Sequence, residues 1–287
     1  MLKKNKNKEI EKAIKIRKFD VTPSIDFFDM EFYVNEYCWY YDRHHKKDLQ
    51  IMYSLSDEIA LKSYDKAMQC FFYNQQKKGW EFLMQSLYHN ANSLRNTLQK
   101  RFMEDYKMSL FLSVLLEQEN IANILVKEIT VLFDTEDINS TCSSFKLSLF
   151  IFNNTFNYNF LNNINITDYG IYNNLIVNWD NLNTLIYETD FWNNICDFHV
   201  ANLGITGNEN YEEFINESVF PIEILTILKI FKKQHLHIPA IDHPLMKTVF
   251  SVFPEFPVDY NPNTDIYMKL INDTVEKNKK IALEELI

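Results

Sequence analysis

Trp80-Glu81-Phe82-Leu83-Met84-Gln85-Ser86-Leu87-Tyr88-His89-Asn90-Ala91-Asn92-Ser93-Leu94-Arg95-Asn96-Thr97-Leu98 is the stretch whose reading decides the fold. Leu83, Leu87, Ala91, Leu94 and Leu98 recur every three or four residues, which is one face of a helix. The pattern predicts a helix from Trp80 to about Tyr106, with Gly79 as the break before it. The preceding segment, to Gln76, carries Ile59, Ala60, Tyr64, Ala67 and Phe71 on one side. Ser54 and Ser56 with Asp57-Glu58 read as its N-terminal cap. Upstream, Pro23-Ser24 opens a further helix over 25–47, with Phe27, Phe28, Phe32, Tyr33, Tyr37 and Tyr40 at helical spacing.

The same period continues downstream. Helices are expected at 108–118 and 120–133, followed by a polar break from Asp134 to Ser144. Residues 145–176 mix β-branched and aromatic residues with Asn at nearly every turn, and read as a short helix and loops. Further helices are expected at 179–187, at 191–203 with Thr189 or Asp190 as cap and Gly204 as stop, and at 208–217. Pro221 sits at a helix first turn, where its missing N–H costs nothing, and Ile222–Gln234 follow. Prolines at 239, 244, 254, 257 and 262 mark an ordered connection with a short helix near 245–252, before a final helix over 263–286.

Glycine supports this reading by its scarcity. There are 4 glycines in 287 residues, against an ordinary share of roughly 7%. So few cannot supply the turns of a barrel or a sandwich, nor a phosphate-cradling loop, and neither GxGxxG nor GxxxxGK[ST] occurs. The expected class is therefore all-α: antiparallel helix pairs packed as a multi-helix bundle or a short helical-repeat array. Three regions are drawn: a basic arm at 1–18, an N-terminal helical half at 19–133 and a C-terminal half at 145–287, the halves forming one unit. The 32 asparagines read as the codon bias of an AT-rich genome.

Net charge is −10, but it is distributed unevenly. Residues 1–18 hold 8 Lys+Arg against 2 Glu, or +6. Residues 103–217 hold 3 basic residues (Lys107, Lys127, Lys146) against 17 acidic ones, or −14. Such a segment repels nucleic-acid phosphates and favours a basic protein partner. The lysine-rich N-terminus has no apolar run behind it, so no signal peptide is expected. The longest apolar runs, such as Lys146–Phe152, fall far short of the roughly 20 residues that span a bilayer. Cys38, Cys70, Cys142 and Cys196 are far apart and form no CxxC, which fits isolated thiols in a reducing cytoplasm.

Catalytic constellations are missing. HExxH, Glu-x-x-His, GxSxG and adjacent His-Asp are absent. Asp42-x-x-His45 beside His44 reads as a solvated helix end. His235 and His237 lie just beyond a helix and read as caps of its C-terminal end. Cys196 and His199, on one apolar helix, read as core. No metal, nucleotide or other cofactor is expected, and no enzyme activity.

Three short motifs have a more particular texture. They are Gly207-Asn208-Glu209-Asn210-Tyr211, Phe220-Pro221-Ile222-Glu223-Ile224-Leu225 and Asp242-His243-Pro244-Leu245-Met246. Together, over residues 207–254, they resemble the C-terminal part of an all-α family of bacterial immunity proteins encoded beside polymorphic and type VI secretion toxins. The resemblance implies a cytoplasmic protein that binds and neutralises a cognate toxin domain without chemistry. It carries over no catalytic residue. Glu223, Asp242, His243 and Pro244 are expected to be structural, Asp242 capping the helix after it. A basic toxin, for example a nuclease, would dock on the acidic segment. The candidate partner-binding residues are Asp134, Glu136, Asp137, Glu188, Asp190, Glu209, Glu212 and Glu213, near helix ends and loops, with Tyr211 as aromatic anchor. The rival readings are a helical-repeat scaffold or adaptor, and a helical metal-dependent hydrolase using His44, His45, His199 or His243.

Overall fold

The computed structural model describes residues 8, 10–12, 50–96, 106–134, 137–203, 213–214, 219–254 and 257–284. Among these the chain is all-α and contains no strand. The helices are α1 (Gln50–Phe72), α2 (Gln76–Asn96), α3 (Lys107–Leu115), α4 (Glu119–Leu132), α5 (Ser143–Thr155), α6 (Asn173–Val177), α7 (Thr189–Ala201), α8 (Ile222–Lys233) and α9 (Ile266–Glu284). Short 3-10 turns at Ile138–Ser140, Phe160–Asn163, Gly170–Tyr172, Trp179–Leu185 and Pro244–Lys247 connect them. The expected helix at 25–47, residues 97–105 of the helix expected from Trp80 to about Tyr106, the Gly204 stop and most of 208–217 lie outside the described residues.

α1 and α2 form an antiparallel hairpin. The polar 54–58 stretch does not start α1, which already runs from Gln50. Ser56 is instead buried in the hairpin, where its hydroxyl donates to the His89 carbonyl at 3.0 Å. A serine read as a cap from local context is recruited by a partner helix 33 residues away. Gly79 lies inside α2 rather than before it. A Cβ there would stand 2.5 Å from Cε1 of the Phe71 ring, so the residue marks a close helix approach.

The turn falls at Asn74, which has φ +59°. Asn74, Glu117, Asn157 and His235 all take positive φ just past the ends of α1, α3, α5 and α8. The amide after each bonds back five residues: Gln75 to Cys70 at 2.7 Å, Gln118 to Ser113 at 2.8 Å, Tyr158 to Asn153 at 2.9 Å and Leu236 to Phe231 at 2.9 Å. These are the left-handed caps that glycine usually provides. A glycine-poor chain makes them with Asn, Glu and His, at a cost of about 1–2 kcal/mol per non-glycine residue.

α3 and α8 are buried on nearly every side: eight of nine residues in α3 and ten of twelve in α8. Helices of that kind form the centre of a core rather than one wall. α5 packs beside them, and the apolar cluster runs from the α1–α2 hairpin through α3 and α8 to α7 without interruption. Phe71 and Trp80 of the hairpin pack on each other and on Phe220, two residues before α8, with centroids 5.2–6.1 Å apart. Of the expected Asp134–Ser144 break, the 3-10 segment Ile138–Ser140 is described, and α5 already begins at Ser143. In the basic arm, Lys8, Glu11 and Lys12 face solvent while Ile10 is buried in the core.

Candidate functional site

The three lysines of the −14 segment have different fates. Lys107 and Lys146, on α3 and α5, are buried. Lys107 Nζ donates to the Glu213 backbone carbonyl and lies 5.1 Å over the Phe214 ring. Lys146 Nζ donates to the Asn139 carbonyl at 2.9 Å. Both snorkel along apolar stems and end on backbone acceptors. Only Lys127 is exposed. The cations that could neutralise the surface of this segment are thus largely withdrawn into the interior.

The carboxylates divide as well. Asp137 caps the 3-10 turn after it by accepting the Asn139 N–H at 3.0 Å. Asp168 accepts Asn173 Nδ2 at 2.6 Å and the Gly170 N–H at 2.8 Å, and these two bonds hold its carboxyl below the usual range. Glu117 meets Lys229 at 2.8 Å. Glu213, expected at a partner interface, is half-buried and turned inward instead. It accepts the Ser144 N–H at 2.9 Å and the Ser143 N–H at 3.4 Å, capping α5 and complementing the dipole at its N-terminus. Its placement follows from the approach of the 213–214 turn to α5, which no local pattern encodes.

The side-chain carboxylates of Glu119, Glu128, Asp134, Asp180, Glu188 and Asp190 make no hydrogen bond or ion pair among the described residues. Burial raises the Glu128 carboxyl, and the other five are exposed. Of the expected contact residues, Asp134, Glu188 and Asp190 therefore stand free on the surface, Asp137 is exposed but engaged, and Glu213 is structural. Glu136, Glu209, Tyr211 and Glu212 lie outside the described residues.

Three buried or half-buried histidine–carboxylate pairs hold the fold together. His199 Nδ1 on α7 lies 2.7 Å from Glu223 Oε1 in the first turn of α8, both side chains fully buried. The His199 ring stacks on Phe214 at 4.4 Å. Glu223 Oε2 and the Tyr172 hydroxyl have no hydrogen-bond partner among the described residues. Burial, then the neighbouring Glu223 charge, pushes the Tyr172 phenol well above its ordinary value. His243 reaches α7 from elsewhere: its Nε2 lies 2.9 Å from Asp197 Oδ1, while its Nδ1 accepts the Leu245 N–H at 3.2 Å. His243, not Asp242, therefore caps the 244–247 turn. Asp242 instead pairs with Lys247.

The third pair escaped sequence reading. His89 Nε2 on α2 lies 3.2 Å from Asp265 Oδ2, and Nδ1 lies 3.2 Å from Ser56 Oγ. Asp265 Oδ2 also accepts Gln85 Nε2 and the Tyr260 hydroxyl, each at 2.8 Å. Its Oδ1 accepts the Tyr267 and Met268 amides at 2.9 and 3.0 Å, capping α9. Burial pushes this carboxyl up, but the bonds and charge from His89, the Met268 N–H and Gln85 outweigh it and hold it well below its usual range. Asp265 before an apolar helix is a cap signal that sequence could have supplied; its junction with His89, 176 residues away, is not.

The Ser56–His89–Asp265 order resembles a hydrolytic triad in composition only. Ser56 and His89 are fully buried in a helix hairpin, so neither can meet a substrate in this conformation. The same holds for His199, while His243 is 4% exposed. His44 and His45 lie outside the described residues. No group of three or more His, Cys, Asp or Glu side chains converges on a possible metal position among the described residues. No described helix is long and apolar enough to cross a membrane.

Comparison with protein-family models, with curated proteins and with solved structures finds no match for this chain.

Proposed function

We propose that the chain is an immunity protein that binds a cognate antibacterial toxin domain in the cytoplasm and neutralises it by occupation, without catalysis. The observation that carries the reading is the separation of charge in residues 103–217. Lys107 and Lys146 are buried and end on backbone carbonyls, while the carboxylates of Glu119, Asp134, Asp180, Glu188 and Asp190 face solvent without a partner among the described residues. A surface arranged in that way attracts a basic protein, accelerates its encounter and rejects acidic competitors. A nuclease is the toxin type that fits best, because an enzyme that grips phosphates carries the complementary charge. The three motifs over 207–254 support the same reading by resemblance.

The test is co-expression with the toxin encoded beside the gene. The expected result is survival of cells that otherwise die, together with a complex that weakens as salt rises. Death despite soluble expression of this chain overturns the proposal. A complex without protection favours the adaptor reading instead.

A further inference from the structure

The ends of four helices meet around one half-open cavity of about 350 Å³. Glu117 lines it from just past α3, Thr155 and Phe156 from the end of α5, Lys233 from the last residue of α8, and Glu119 from the first residue of α4. Opposite charges share this cavity without meeting. The Glu119 carboxylate and the Lys233 ammonium make no ion pair or hydrogen bond, with each other or with any other described residue. Glu117, the second carboxylate, is already engaged by Lys229 at 2.8 Å. Thr155 adds an unused hydroxyl. Thr130, Thr226 and Thr274 each bond back one helical turn, to the Val126, Ile222 and Leu270 carbonyls at 2.7–2.9 Å. Thr155 Oγ1 is buried and has no partner among the described residues, an arrangement that forfeits its hydration for nothing inside the fold. The helix ends sort by sign. α3, α5 and α8 bring C-terminal ends, which favour a cation, and α4 brings its N-terminus, which favours an anion. Gln118 gives α4 no side-chain cap, because its amide donates to the Leu116 carbonyl and its oxygen accepts from the Tyr88 hydroxyl. The remaining wall is apolar: Val114, and the Phe156 ring packed edge-on against Phe152 at 5.3 Å.

We propose that this cavity binds a free α-amino acid with an apolar side chain. The ligand's ammonium donates to the Glu119 carboxylate and to Thr155 Oγ1. Its carboxylate accepts from Lys233 and lies at the N-terminus of α4, and its side chain covers Phe156 and Val114. A ligand with a single charge satisfies only half of this lining: an amine meets the Lys233 ammonium, and an acid meets the Glu119 carboxylate. A nucleotide, with several negative charges, meets Glu117 and Glu119 together. The volume lies at the low end of small-molecule pockets, roughly 300–1,000 Å³, which suits a molecule of amino-acid size. This binding activity goes beyond the immunity reading and does not depend on it.

The experiment is calorimetry on the full chain with L-leucine and L-phenylalanine as probes. Isoamylamine and phenethylamine serve as the same molecules without the carboxylate, isocaproate and hydrocinnamate as the same molecules without the ammonium. The expected result is that at least one amino acid binds, about tenfold or more tighter than either of its single-charge analogues, and raises the melting midpoint. Lys233→Met weakens the amino acid about tenfold and leaves the amine unchanged, and Glu119→Gln weakens it similarly and leaves the acid unchanged. Thr155→Val weakens binding about threefold while raising the midpoint of the ligand-free protein, because it removes a buried hydroxyl without a partner. Glu188→Gln, on another part of the surface, changes neither. Failure of both amino acids to bind at millimolar concentration overturns the proposal. So does binding that Lys233→Met and Glu119→Gln leave at the parent's strength. Protection against a toxin enters none of these readouts, so the two readings fail separately.

Discussion

Replacing Gly79 by alanine sets two effects of opposite sign against each other, and the structure decides which wins. In an exposed helix interior the change would stabilise by about 1 kcal/mol, because glycine loses more backbone entropy. Here the new Cβ would stand 2.5, 2.7 and 2.9 Å from Cε1, Cδ1 and Cζ of Phe71. Comfortable carbon contacts lie near 3.5–4.0 Å, so the ring must retreat by about 1 Å. It has no room to do so. Phe71 is fully buried, with the Trp80 ring edge-on at 5.2 Å and the Phe220 ring stacked at 6.0 Å with a 13° tilt. Overpacking of this kind costs about 1–3 kcal/mol, and three close contacts on one locked ring place it in the upper half of that range. The net loss is about 1–2 kcal/mol, which lowers the midpoint of a chain this long by several degrees. Thermal unfolding followed by far-UV circular dichroism measures it, with Phe71→Leu as the second arm of a double-mutant cycle. In the Phe71→Leu background the obstacle is gone, and Gly79→Ala should become neutral or stabilising. A rise in midpoint on Gly79→Ala in the parent would refute the reasoning.

Two further outcomes follow from the caps. The depressed Asp265 carboxyl contributes stability that is fully present above its unfolded value near pH 4, and that is lost as pH falls through and below it. The melting midpoint of the parent should therefore drop more steeply below pH 4 than that of Asp265→Asn, which is about 3 kcal/mol less stable at neutral pH; parallel curves would contradict the assignment. At His235, exposed and at φ +57°, glycine relieves the left-handed strain. His235→Gly should stabilise by about 0.5–1 kcal/mol in urea titrations, while His235→Ala, which keeps the strain, should give no gain.

The apolar stripe of Leu83, Leu87, Ala91 and Leu94 is buried throughout. The expected helices at 108–118 and 120–133 appear as α3 and α4. Both were legible because helical period is a local property: three and four residues apart is enough to define a face. The charge segregation was legible for the same reason, since charge is counted along the chain. Helix ends were harder. Four helices stop on Asn, Glu or His in a conformation usually signalled by glycine, and the glycine that looked like punctuation turned out to be a contact.

What packing alone decided is how each polar group is used. Ser56 looked like a cap and became the partner of His89; Glu213 looked like a contact residue and became the cap of α5. His199 with Glu223, His243 with Asp197 and His89 with Asp265 meet across 24, 46 and 176 residues. Those separations exceed any periodicity, because a hydrogen bond depends on where two helices cross and not on where either begins. The acidity of residues 103–217 was set by composition. Which carboxylates remain available to a partner was set by tertiary structure, where buried donors satisfy Asp197 and Glu213 and leave Asp180, Glu188 and Asp190 to solvent.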